Sequence, residues 1–193
     1  LVYHGTMAAR LGVDLLIEAV RRLADRVPGL RLHLWGGGDD LEAFRATAGQ
    51  LGLADRVHFR PEGYRLEELP ARLAAMDVGL VGNRRSVAGD LMLPVKLLEY
   101  VALGIPVVAP RLKTITHYFD DDMVSFFEPD DAGSLAEAIS RLHERPALRR
   151  SLPARARGFL REHGWERQGQ EFVAFYRELI RAEPSAGLTG VAP

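Results

Sequence analysis

The chain contains no cysteine, which excludes a disulfide scaffold, thiolate metal sites and cysteine catalysis. It is almost without lysine: Lys96 and Lys113 are the only two among 25 basic residues, and the rest are arginine. Neither charge sign is in excess. With 25 basic and 26 acidic residues the formal net charge is −1, which argues against a partner held by a broad electrostatic field, nucleic acid above all. No apolar run reaches the roughly 18 residues of a membrane-spanning helix, and no leader pattern opens the sequence. There is no initiating methionine either: Leu1 runs straight into strand-like sequence, as expected of a piece of a longer chain.

What is present is ordinary globular composition. The 193 residues are 47% hydrophobic and 26% charged, which excludes disorder for most of the chain and suits one large domain or two small ones. Val13, Leu16, Ile17, Val20 and Leu23 recur at helical spacing. Leu30 to Trp35 alternates like a strand, and Val78 to Val81 and Ile105 to Ala109 are short apolar runs, as strands covered on both faces require. Pro94 opens and Gly104 closes an apolar helix, and Asp131 can cap the helix that follows it. Two further helices are expected over 147–162 and 165–180. Strand and helix alternate about six times, which predicts an α/β fold, a Rossmann-like doubly wound parallel sheet with helices on both faces. One domain is expected over 1–182, followed by a loose tail over 183–193 rich in Ala, Gly, Ser and Pro.

In such a sheet, ligands sit beyond the carboxyl ends of the strands. Four loops fall there: Gly5 to Arg10, Gly36 to Gly38, Phe59 to Gly63, and Val81 to Pro94. Glycine lets the backbone turn sharply and approach a ligand closely. Gly36 and Gly38 form neither a phosphate loop, since no Gly-Lys-Ser/Thr follows, nor a complete dinucleotide fingerprint. The most informative stretch is 91–109, Leu-Met-Leu-Pro-Val-Lys-Leu-Leu-Glu-Tyr-Val-Ala-Leu-Gly-Ile-Pro-Val-Val-Ala. Only Lys96 and Glu99 interrupt its apolar helix, three apart and so on one face. They read either as an internal pair at the rim of the core or as two groups facing a ligand cleft. In the second case the helix start would hold phosphate and Glu99 would accept hydrogen bonds from sugar hydroxyls. The scarcity of lysine favours the second reading.

The motif Pro94-x-Lys96-Leu97-Leu98-Glu99-Tyr100-x-Ala102-x-Gly104-x-Pro106-Val107-Val108 closely resembles the nucleotide-sugar-binding signature of retaining GT-B-type glycosyltransferases of family 4, also known as glycosyl transferases group 1. Supporting matches follow in order: Tyr3-His4-Gly5-Thr6 with Arg10 to Ala19, Leu34-Trp35-Gly36-x-Gly38, Arg56-Val57-x-Phe59, Phe127-x-Pro129-x-Asp131, and Trp165-Glu166 with Tyr176, similar to a final helix that folds back across the cleft.

The resemblance implies the C-terminal, donor-binding half of a two-domain enzyme, with an N-terminal acceptor half absent. It implies transfer of a hexosyl-type group from a nucleoside diphosphate sugar, with no metal or other cofactor, to a sugar or lipid-linked acceptor. The chain alone is then expected to be inactive and, through an uncovered interface, to form homo-oligomers. A cytoplasmic location is expected, with peripheral contact at the inner membrane surface as an option.

For the site, the resemblance implies catalytic roles for Arg10, Lys96 and Glu99. It implies donor contacts from Gly5, Thr6, Gly36, Gly38, Phe59, Arg60, Asp90, Leu91, Met92, Leu93, Pro94 and Val95. Glu99 matches the glutamate that takes the ribose hydroxyls, and the loop at 91–95 matches the one that cradles the diphosphate. Two places depart from the family. Leu91 stands where it keeps a second glutamate, with Asp90 adjacent. Thr6 and Leu11 stand where it keeps an Arg–Lys pair, leaving Arg10 nearby and Lys96 as the expected replacement cation.

Other features are given ordinary roles. Asp120 to Asp122 precedes an apolar strand on the side away from the expected cleft and is not read as a metal site. None of the six histidines is spaced like a zinc ligand; His4 alone sits at a strand end facing the cleft, and structural filling is its default role. The arginines at 149, 150, 155 and 157 read as a solvated face, with anionic lipid as the lesser alternative. A non-catalytic module that kept the fold, and a GT-B-type sugar-nucleotide epimerase, are the competing functions.

Overall fold

The computed structural model describes residues 1–181; the expected tail at 183–193 lies outside the described residues. The chain divides into two units, Leu1–Gly158 and Phe159–Pro193.

The first unit is built on six strands: β1 (Val2–His4), β2 (Leu32–Trp35), β3 (Val57–Arg60), β4 (Gly79–Leu80), β5 (Val107–Pro110) and β6 (Ser125–Phe127). All pair in parallel, in the order β3-β2-β1-β4-β5-β6. Every residue of β1, β4, β5 and β6 is buried. That is the burial expected of a sheet covered on both faces. The helices that cover it are α1 (Val13–Leu23), α2 (Leu41–Gln50), α3 (Leu69–Ala74), α4 (Val87–Leu91), α5 (Val95–Leu103), α6 (Lys113–Tyr118), α7 (Ala132–Glu144) and α8 (Pro146–His163), the last of which runs past the end of the unit.

Helix α1 packs against α7 and α2, while α5 packs against α3, β4 and β5. Leu16, Ile17, Val20 and Leu23 of α1 meet Leu32, Leu34, Leu80, Leu135 and Ile139 in one core. The apolar stripe read at helical spacing is therefore the buried face of α1. Asp131 caps α7, its carboxylate accepting from Gly133 N at 2.7 Å and Ser134 N at 3.0 Å. Gly104 closes α5 at φ +71, a left-handed turn that a Cβ would strain.

Two short helices stand where the sequence suggests only connection. The polar stretch Asn83 to Asp90 contains most of α4, capped by Ser86, whose hydroxyl accepts from Gly89 N at 2.9 Å. Helix α6 follows β5 after two residues. With five and six residues, neither is long enough for a helical period to show in the sequence. A single 3-10 turn, Ala9–Leu11, also precedes α1.

In the second unit, α9 (Trp165–Arg181) carries Trp165, Phe172, Phe175, Tyr176 and Leu179, all exposed. Among the described residues no helix is long and apolar enough to cross a membrane.

Candidate functional site

The strand order reverses direction between β1 and β4: from β1 the chain winds outward through β2 and β3, then returns to the other side at β4. Such a switch point leaves a crevice at the carboxyl edge, because the loops after the two strands depart in opposite directions. A hollow of about 400 Å³ occupies that place. His4, Gly5 and Thr6 line it from the end of β1, Arg10 and Leu11 from the 3-10 turn, Asn83 from the segment after β4, and Met92, Pro94, Val95, Lys96 and Glu99 from the entrance and first turns of α5. The start of α5 also presents amides that no helical carbonyl can satisfy.

The loop after β1 is laced to the loops beside it. Gly5 N donates to Trp35 O at 2.9 Å, Met7 N to Gly37 O at 2.8 Å, and Gly36 N to Arg60 O at 2.8 Å. Gly36 and Gly38 thus stand outside the hollow and support it from behind. A Cβ on Gly36, whose φ is +122, would meet Gly5 O at 2.2 Å. Phe59 packs against the hydrophobic core. The Arg60 guanidinium lies 4.3 Å from the centre of the Tyr64 ring and donates from Nε to Gly63 O at 2.8 Å.

The loop after β4 is fixed at both ends. Arg84 joins Asp14 on α1 and Asp130 after β6, the second at 2.9 Å, and donates from Nε to Ala9 O at 3.1 Å. Asp90 turns towards α6: its Oδ1 accepts from Lys113 N at 3.2 Å, and its carbonyl accepts from Thr114 Oγ1 at 2.7 Å. Its carboxylate is thus used at a helix start outside the hollow. Leu91 is exposed, and Leu93 is half-buried without lining the hollow.

Lys96 and Glu99 do share the cleft face of α5, but each meets a different neighbour on β1. The Lys96 ammonium lies 4.3 Å from the centre of the Tyr3 ring, and a methyl on Gly5 would stand 3.6 Å from it. Burial lowers the Lys96 pKa to about 8; the Glu99 charge works against that fall and Arg10 adds to it. Burial likewise raises the Glu99 carboxyl, opposed by Lys96. Glu99 Oε2 is 3.2 Å from His4 Nε2. The rim pair expected as one option is therefore not a direct contact: the ammonium acts on Glu99 through its field, and His4 is the group beside the carboxylate.

Two further polar side chains line the hollow: His4, expected at a strand end facing the cleft as structural filling, and Asn83, on which no expectation was placed. His4 is 9% exposed, and burial, followed by the nearby Lys96 charge, lowers its pKa to about 4. Asn83 is 2% exposed; its Nδ2 donates to Met92 Sδ at 3.3 Å, and its buried Oδ1 has no partner. A polar residue one glycine beyond the apolar run Val78 to Val81 was the available clue. On the other side of Glu99, Leu66, Leu69, Pro70, Leu73, Ala102 and Leu103 form a small apolar groove that Glu99 also lines.

The remaining candidates are engaged elsewhere. Asp121 pairs with Arg111, and Asp122 pairs with Arg155 at 2.8 Å. Among the described residues no group of three or more potential ligands could hold a metal ion. Arg149, Arg150 and Arg157 line a separate hollow with Asp77 and Pro106, which precede β4 and β5, so it opens at the amino edge of the sheet.

A doubly wound parallel sheet in this strand order, with Arg10, Lys96 and Glu99 gathered at its switch point, defines a Rossmann-like α/β protein. Residues 1–145 match the model of the family described as Glycosyl transferases group 1, and the chain belongs to that family. It is 31% identical over 193 residues to the D-inositol 3-phosphate glycosyltransferase of Saccharomonospora viridis, a match covering 94% of this chain and 43% of that one. Its fold is shared by solved structures, of which two serve as examples. One is the C-terminal domain of a glycosyl transferase group 1 family protein (LpcC) from Francisella tularensis, with TM-score 0.72 and 17% identity over 84% of this chain and 83% of that chain. The other is Anabaena Alr3699/HepE in complex with UDP, with TM-score 0.80 and 18% identity over 92% and 48%. The chain spans less than half the length of the curated relatives it matches.

Proposed function

We propose that this chain is the donor-binding half of a retaining glycosyltransferase, and that the hollow between β1 and α5 holds a nucleoside diphosphate sugar. The observation that carries this reading is the convergence of Arg10, Lys96, Glu99 and the start of α5 on one crevice at the switch point. The diphosphate sits against Lys96, Arg10 and the first amides of α5, which together meet its charge without a metal. Glu99 accepts from the ribose hydroxyls, and the apolar groove on its far side suits the flat face of a base. When the glycosyl bond breaks, negative charge grows on the departing diphosphate, and fixed cations and amides stabilise it there. The acceptor, a sugar or a lipid-linked sugar, is brought by an N-terminal domain outside this chain, so residues 1–193 alone carry no transfer activity.

Leu91, exposed where the family resemblance places a second glutamate, favours a second reading in which the site binds the donor without turning it over. Calorimetric titration with UDP-, GDP- and ADP-sugars tests donor binding. Binding of at least one, weakened by Glu99→Gln, is expected; no heat from any of them at millimolar concentration overturns the proposal. In a protein that includes the acceptor domain, turnover that collapses on Glu99→Gln excludes the non-catalytic reading.

A further inference from the structure

The mechanism above leaves the buried imidazole of His4 unused. His4 ends β1 with its ring edge-on to Tyr100, centroids 5.2 Å apart at 84°. Tyr100 is itself wholly buried, so the imidazole plane is set by packing. Its Nε2 is shielded from solvent and has no closed hydrogen bond, yet it stands 3.2 Å from Glu99 Oε2. Glu99 makes no other ion pair among the described residues, and its side chain is 37% exposed. The charged and titratable groups around the ring are Glu99, Lys96 and Tyr100 on α5.

We propose that His4 is a positioning residue for Glu99: its Nε2–H donates to Oε2 and turns Oε1 towards the ligand. The proposal rests on Glu99 being the group that takes the donor's ribose hydroxyls. Two physical points support it. A carboxylate on a half-exposed flexible side chain must be ordered before it can accept from two neighbouring hydroxyls, and a fixed donor on one oxygen supplies that order. The donor must also be neutral, because an imidazolium would form an ion pair with the carboxylate and weaken its attraction for the hydroxyls. Burial and Lys96 both hold the ring neutral near pH 7. Which nitrogen carries the proton follows from the bond it makes.

The test begins on the unmodified chain. Imidazole ¹⁵N shifts at pH 7 are expected to show His4 neutral with its proton on Nε2; a proton on Nδ1 alone, or an imidazolium, overturns the proposal. The side-chain carboxyl of Glu99 is then titrated by ¹³C NMR in the unmodified chain, His4→Phe and His4→Gln. Loss of a donor to the charged form should raise the Glu99 pKa by about half a unit or more in His4→Phe, and the side-chain amide of His4→Gln should restore it. Affinity for the nucleotide sugar should fall about tenfold in His4→Phe and recover to within about threefold in His4→Gln. A Glu99 titration that is the same in all three proteins, or a glutamine variant no better than phenylalanine, overturns it. The carboxyl titration needs no donor. If Glu99→Gln leaves nucleotide-sugar binding intact, the donor reading fails while the His4–Glu99 contact is still judged by its own measurement.

Discussion

The Lys96 ammonium rests 4.3 Å from the centre of the Tyr3 ring, with Gly5 beside it. A lysine from α5 thereby reaches the end of β1, where Thr6 and Leu11 replace a pair of cations expected from the family resemblance. On the proposed reading, Lys96 in the first turn of α5 joins Arg10 in meeting the charge of the diphosphate, and glycine at position 5 leaves room for its ammonium.

This arrangement predicts a pH dependence of ligand binding. The Lys96 pKa is about 8 in the free site, so the ammonium is present at pH 7 and lost as pH rises through 8. A diphosphate favours the charged form, and binding near pH 8 should take up roughly half a proton. Calorimetry of UDP or GDP in buffers of different ionisation enthalpy measures this directly. Lys96→Met should abolish the uptake and weaken binding by about tenfold or more.

His4 predicts acid sensitivity. Its pKa is about 4 in the folded chain against 6.5 for the ordinary side chain. Between those values the unfolded chain binds more protons, so the stability His4 contributes is fully present above pH 6.5 and is lost as pH falls towards 4, by about 3 kcal/mol in all. Glu99 shifts upwards and opposes this at the acid end. Urea unfolding of the unmodified chain and His4→Gln across pH 4 to 7 should show the steeper loss in the former.

Gly36 supports the hollow from outside. Its φ of +122 and the 2.2 Å approach of a hypothetical Cβ to Gly5 O leave no space for alanine. Gly36→Ala should lower stability by about 2 kcal/mol or more and, by displacing the loop after β1, weaken donor binding as well. Thermal unfolding and a donor titration on the same variant check both effects.

Asp90 and Glu99 should separate cleanly. The Asp90 carboxylate accepts from Lys113 N at the start of α6, so Asp90→Ala should cost roughly 1 kcal/mol in unfolding and leave donor affinity within about threefold. Glu99→Gln should do the reverse. A large affinity loss in Asp90→Ala would instead place its carboxylate on the ligand.

The strands of this fold are legible in sequence because β4 and β5 lie in short apolar runs and β2 alternates, and α1, α5 and α7 because their caps or buried stripes are complete. Helices α4 and α6 are hidden by their length. Within the site, the α5 face was readable from the spacing of Lys96 and Glu99, since three residues fix a shared side. Their partners were not. Whether Glu99 meets Lys96 or His4 depends on where the end of β1 falls against α5, a relation between segments over ninety positions apart. The roles of Gly36 and Asp90 were hidden for the same reason: one is set by contact with the loop after β1, the other by a helix that the sequence did not announce.

The most direct test is a crystal structure of the chain with a bound nucleoside diphosphate. The account predicts the diphosphate beside Lys96, Arg10 and the first amides of α5, with both ribose hydroxyls on Glu99. A diphosphate found among Arg149, Arg150 and Arg157 at the opposite edge of the sheet, with the β1–α5 hollow empty, would contradict it.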